Sequence, residues 1–109
     1  MLNNLLYRNP LYLGESIDSK KLDKLIRKLE KHPCFSGLFL ITLSRNFTDQ
    51  LDIFDAKLFG QKYYQTVPFQ VVGLAKSHGE AISLVEAIAK DCYERRGDGK
   101  LKEYLTWEP

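Results

Sequence analysis

Lys76, Ser77, His78, Gly79 and Glu80 lie between a β-branched apolar run, "FQVVGLA", and an amphipathic one, "EAISLVEAIAKDC". Two kinds of chemistry compete for such a stretch. Free backbone N–H groups at the start of a helix bind anions, so a glycine-bearing turn with a lysine invites a phosphate. The Walker pattern, however, needs lysine directly after its second glycine, whereas Lys76 precedes Gly79, and no G-x-G-x-x-G is present. Ser77 and Glu80 instead have the S-x-x-E spacing of a capping box. Ser77 would accept from the N–H of Glu80, and the Glu80 carboxylate would reach back to the N–H of Ser77. A carboxylate so placed takes the positive helix end for itself. The helix-start reading is the stronger one, with Lys76 and His78 left as a candidate anion site.

The clearest charged feature is earlier. Residues 20 to 31 hold six basic and two acidic side chains, net +4, against ten basic and twelve acidic elsewhere. At 100° per residue Lys20, Lys24, Arg27 and Lys31 line one edge of a helix, with Lys21 and Lys28 beside it. That ridge could contact a polyanion such as nucleic acid; Asp23 and Glu30 temper it, and no aromatic residue interleaves the lysines. The plainer reading is the solvated outer face of a packed helix.

Other reactive types are scattered. Asp49, Asp52, Asp55 and Lys57 echo the D-x-K step of metal-dependent nucleases, in which carboxylates hold magnesium and lysine assists the attacking water. Asp52 and Asp55 are an odd number apart, so on a regular strand they face opposite sides, and turn and edge-strand polarity explain them better. Cys34 could form a nucleophile pair with His32 or His78, though a cysteine ahead of an apolar strand is more often a small hydrophobe, and Cys92 falls on an apolar helix face. Phe59, Tyr63 and Tyr64, with Trp107 near the end, are candidates for an interface, because such rings combine area with a polar tip. No convergent acid, base, nucleophile or metal set emerges, so neither a catalytic residue nor a cofactor is expected.

Residues 1–109 suit a single domain with an ordinary globular balance, 44% hydrophobic and 28% charged. A net charge of +2 does not by itself imply nucleic acid. Two distant cysteines form neither a disulfide framework nor a zinc pattern. The opening "MLNNLLYRNPLYLGE" lacks a basic n-region and an unbroken apolar core. The expectation is a cytoplasmic protein with reduced thiols and no membrane association.

The elements that must position these residues follow from periodicity. "LYLG" at 11 to 14 reads as a short strand. Leu22, Leu25, Ile26 and Leu29 form the stripe of a helix that Asp18 or Ser19 can cap and Pro33 ends. "GLFLITLS" is apolar on both faces, as in a central strand covered on both sides, and forms a hairpin with "LDIF". Residues 55 to 65 read as a short, weak helix, "FQVVGLA" as a strand, and a long helix then runs to about Arg96, closed by Gly97. The tail around Leu101 and Tyr104 fits either a helical turn or an edge strand. The expected fold is α+β: a mixed sheet of about four strands with two main helices on one face, a ferredoxin-like topology being the nearest named arrangement.

The stretches "LYLGESI", "KLDKLIRKLEK", "VVGLAKSHGEAISLVE" and "RRGDGKLKEYL" resemble those of short bacterial proteins of uncharacterised function. The resemblance implies no activity. The expected function is a small non-catalytic protein-interaction domain that pairs with a protein partner or with itself as a homodimer. The alternatives are a nucleic-acid-binding accessory using the basic ridge, and a metal-dependent nuclease-like enzyme.

Overall fold

The computed structural model describes residues 2–46 and 48–106. In chain order they form β1 (Leu5–Leu13), α1 (Leu22–Lys31), β2 (Phe39–Leu43), β3 (Leu51–Asp55), β4 (Phe69–Ala75), α2 (His78–Arg96) and α3 (Leu101–Leu105). Short 3₁₀ turns at Ser19–Lys21, Pro33–Phe35, Ala56–Gly60 and Lys62–Gln65 join them. The fold is α+β, with one four-stranded mixed sheet in the order β1-β4-β2-β3. β1 and β4 run parallel, while β4 with β2 and β2 with β3 are antiparallel. With 3₁₀ turns between β3 and β4 and a parallel β1·β4 pair, the arrangement is better described by its own strand order than by the ferredoxin-like name.

The helices do not share a face, and here the expectation is corrected. Leu40, Val71 and Leu74 join Leu29 of α1 and Phe59 in one buried cluster. Ile41, Leu43, Val72 and Ala75 join Ala81, Leu84, Ile88 and Cys92 of α2 and Leu101 and Leu105 of α3 in another. The reason is the apolar pattern of the central strands: successive residues of β2 point to opposite sides, so each side needs its own cover. β4 serves both through an irregularity in which Thr42 pairs with Val71 but Ile41 pairs with Gly73, leaving Val72 as the extra residue of a bulge.

Local signals set the helix ends. Asp18 accepts from the N–H of Lys20, and Ser77 caps α2. Gly97, at φ 77°, closes α2 with its N–H on the Tyr93 carbonyl. Arg96 then ties the following turn to α3, with Nε 3.1 Å from Asp98 Oδ1 and Nη2 2.9 Å from Glu103 Oε2. Leu101–Leu105 are thus helical rather than an edge strand. The weak helix expected over residues 55 to 65 is two 3₁₀ turns, as Gly60 and a short stretch leave no room for a full α-turn ladder. β1 begins at Leu5, well before residue 11, and its pairing with β4 breaks register between Tyr7 and Tyr12, around Pro10. Among the described residues no helix is long and apolar enough to cross a membrane.

Candidate functional site

The turn into α2 is organised around Glu80. Its backbone N–H donates to Ser77 Oγ at 3.1 Å, and its Oε1 accepts from the N–H of Lys76 at 3.1 Å, one residue earlier than the capping box predicts. The Ser16 hydroxyl, with the backbone N–H groups of Lys76 and Ser16, holds the carboxyl below the usual range. Gly14 makes this possible, since a Cβ there would sit 1.9 Å from Glu80 Oε1. The anion position at the helix start is therefore taken by the protein's own carboxylate. Of the candidate anion pair, His78 lies edge-on to Phe39 with ring centroids 6.0 Å apart. Lys76 lines a hollow of about 350 Å³ shared with Cys34, Phe35, Gly37, Phe39, Asp55 and Lys57.

Lys20, Lys24, Arg27 and Lys31 are all exposed on α1 and the turn before it, as are Lys21 and Lys28. None of the six forms an ion pair among the described residues. Glu30 is half-buried: its Oε2 accepts from Tyr7 Oη at 3.5 Å and its carbonyl from the N–H of Leu2 at 2.7 Å. Burial, and then the Glu30 carboxylate, pushes the Tyr7 phenol up.

The nuclease-like residues are not gathered. Asp55 accepts from the N–H of Lys57 at 3.0 Å and so caps a 3₁₀ turn, while Asp52 stands across from Thr42 in the hairpin. Among the described residues no group of three His, Cys, Asp or Glu could hold a metal. Cys34 is exposed and its thiol lies 3.8 Å from the Lys57 carbonyl, and among the described residues no hydrogen bond joins it to a histidine. Cys92 is core, as its helix face predicts.

The aromatic candidates separate sharply. Phe59 is fully buried and meets Phe54, Tyr64 and Phe69 edge-on, so it is a core residue and not an interface one; its neighbours in sequence hid the inward turn of the 3₁₀ segment. Tyr64 is half-buried, stacked on Phe69, with its carbonyl held by Asn4 Nδ2 at 2.7 Å. Tyr63 is 63% exposed. Trp107 lies outside the described residues. Tyr63, Tyr64, Phe54 and Phe69 floor a cleft of about 400 Å³, rimmed by Arg45, Asn46 and Asp52. The Arg45 guanidinium stands 5.8 Å from the centre of the Phe69 ring.

This cleft opens beside β3, one of the two sheet edges. In an antiparallel ladder, pairs that exchange hydrogen bonds alternate with pairs that do not. The N–H of Ser44 donates to the Gln50 carbonyl and the N–H of Ala56 to the Leu38 carbonyl. The register then makes Thr42·Asp52 and Leu40·Phe54 the other bonded pairs. The N–H and C=O groups of Leu51 and Ile53 therefore point away from the sheet, and among the described residues no hydrogen bond reaches them. The opposite edge differs. Pro10 offers no N–H, the register breaks there, and Arg8 Nη1 crosses to the Pro10 carbonyl at 2.9 Å.

Sequence reasoning missed the rim residue Arg45, the exposed ring of Phe35 and the polarity of the β3 edge, and it singled out Asp52 for a metal rather than for the rim of this cleft. A phenylalanine after "HPC", in a turn rather than in an apolar run, was the signal for Phe35. No family model, curated protein or solved structure matches the chain.

Proposed function

We propose that this is a non-catalytic protein-interaction domain that pairs with a second copy of itself through the outer edge of β3, in the cytoplasm. The observation that carries the reading is the unpaired backbone of Leu51 and Ile53, flanked by the half-buried Leu51, Ile53 and Phe54 side chains and by the exposed Tyr63 ring. An open edge of this kind is a template for another strand. The sequence of the edge suits its own antiparallel copy. A two-fold axis at Ile53 sets Ile53 against Ile53, Asp52 against Phe54 and Leu51 against Asp55, so no like charges meet. Tyr63 and the neighbouring cleft would be covered by the same union. Both cysteines are free, in keeping with a reducing compartment.

Sedimentation across a range of concentrations tests the reading. The expected result is a mass that rises from 12.6 kDa towards its double. Leu51→Pro removes an N–H that makes no bond within the sheet, at the first residue of the strand, where proline is tolerated. It should hold the chain as a monomer with its far-ultraviolet spectrum retained. A wild type that stays monomeric at every concentration, or a folded Leu51→Pro variant that dimerises as well as wild type, would overturn the assignment.

A further inference from the structure

We infer that the outer face of α1 and the hollow beyond its C-terminal end form one surface for single-stranded nucleic acid. The two halves look unrelated in sequence. On the helix, Lys24, Arg27, Lys28 and Lys31 project opposite the stripe that buries Leu29, while Asp23 and Glu30 both fall on one flank. Glu30 accepts from Tyr7 on that flank, and the outward positions themselves are all cations.

The helix ends into the turn Pro33–Phe35, where Phe35 is 78% exposed, the most open of the large apolar side chains described. Phe35 lines the same hollow of about 350 Å³ as Phe39, Lys57 and Lys76. The His78 ring stands against Phe39. Lysines from two separate segments, Lys57 and Lys76, thus share one hollow with an exposed ring, and Lys31 ends the helix four residues before that ring. Asp55 also lines the hollow, but its Oδ1 already accepts from the Lys57 N–H.

A row of unpaired cations leading to an open aromatic ring matches a flexible phosphate chain with accessible bases: phosphates lie along the cations and a base stacks on the ring. A duplex offers no free base face to Phe35. A membrane fits less well, because the apolar stripe of α1 is spent on the core, with Leu29 fully buried, and cannot insert. The hollow touches the end of β3 at Asp55, but the helix ridge and Phe35 lie outside that strand, so substitutions there leave the β3 edge unaltered.

The test is anisotropy of a labelled polypyrimidine single strand at roughly 50 and 200 mM salt, alongside a duplex of equal length, polyglutamate and phosphatidylglycerol vesicles. If about five phosphates are neutralised, affinity for the single strand should fall about 100-fold across that range. Phe35→Ala should weaken binding about tenfold at the lower salt. The pair Lys24→Glu and Arg27→Glu should abolish it at the higher salt. All three positions are exposed, so the urea midpoints should match wild type and the losses be read as binding. Absence of binding at the lower salt, equal or tighter binding to the duplex or the vesicles, or indifference to Phe35→Ala would each overturn the assignment.

Discussion

Glu80 shows how one side chain can close a site that its surroundings would otherwise open. The start of a helix attracts negative charge, and Lys76 beside it adds to that attraction. Because Gly14 has no Cβ, the carboxylate can enter and accept from Lys76 and Ser16, which lowers its pKa. A carboxyl whose folded pKa lies below its unfolded value, about 4.3, stabilises the fold above that pH. That contribution is lost as pH falls through the lower folded value. Glu80→Gln should therefore melt below wild type at neutral pH, and the gap should close on acidification below about pH 4. Thermal scans of both proteins between neutral and acid pH measure it; a gap of constant size would remove the charge from the account. His78 and Lys76, by contrast, gain their meaning from neighbours on other elements, Phe39 and Phe35 among them.

At the scale of elements, the two edges of the sheet carry opposite devices. β1 has Pro10, a break in register and Arg8 folded across the break; its Tyr12 Oη donates to Asp91 Oδ2 of α2 at 3.2 Å. β3 has none of these. Its hydrogen-bonding polarity follows from two bonds at the hairpin ends, and it makes two predictions, of which only the second depends on self-association. In dilute protein, the amides of Leu51 and Ile53 should exchange with solvent at least tenfold faster than those of Asp52 and Phe54. Raising the concentration should protect Leu51 and Ile53 selectively. Residue-resolved hydrogen exchange checks both statements, and equal rates along β3 at low concentration would contradict the alternation.

At the scale of the molecule, the sheet separates two clusters, and the aromatic residues sort by which side of a short turn they occupy. Phe59 and Tyr63 are four positions apart, yet one is fully buried and the other 63% exposed. Phe59→Ala should lower unfolding free energy by about 3–5 kcal/mol, since it empties the centre of a ring cluster. Tyr63→Ala should stay within about 0.5 kcal/mol of wild type in stability while weakening association. Urea unfolding paired with sedimentation separates the two effects; a destabilised Tyr63→Ala variant with unchanged association would place that ring in the core instead.

Local chemistry was determined by the sequence alone. Ser77 capping α2, Gly97 ending it, the stripe of α1 and the core place of Cys92 each depend on spacing within one element, and the hairpin of β2 with β3 on two apolar runs joined by a short polar break. Tertiary structure decided what depends on two elements meeting. The apolar run from Leu38 to Leu43 implied cover on both faces, but only the packing of Leu29 against one side and Ile88 against the other shows which helix supplies it. Likewise, the register with β2 alone turns the backbone of Leu51 and Ile53 outward, and the fold alone sets Phe35 beside Lys57 and Lys76. Periodicity records which face of a segment avoids water; it carries no information about which other segment, or which partner, will cover that face.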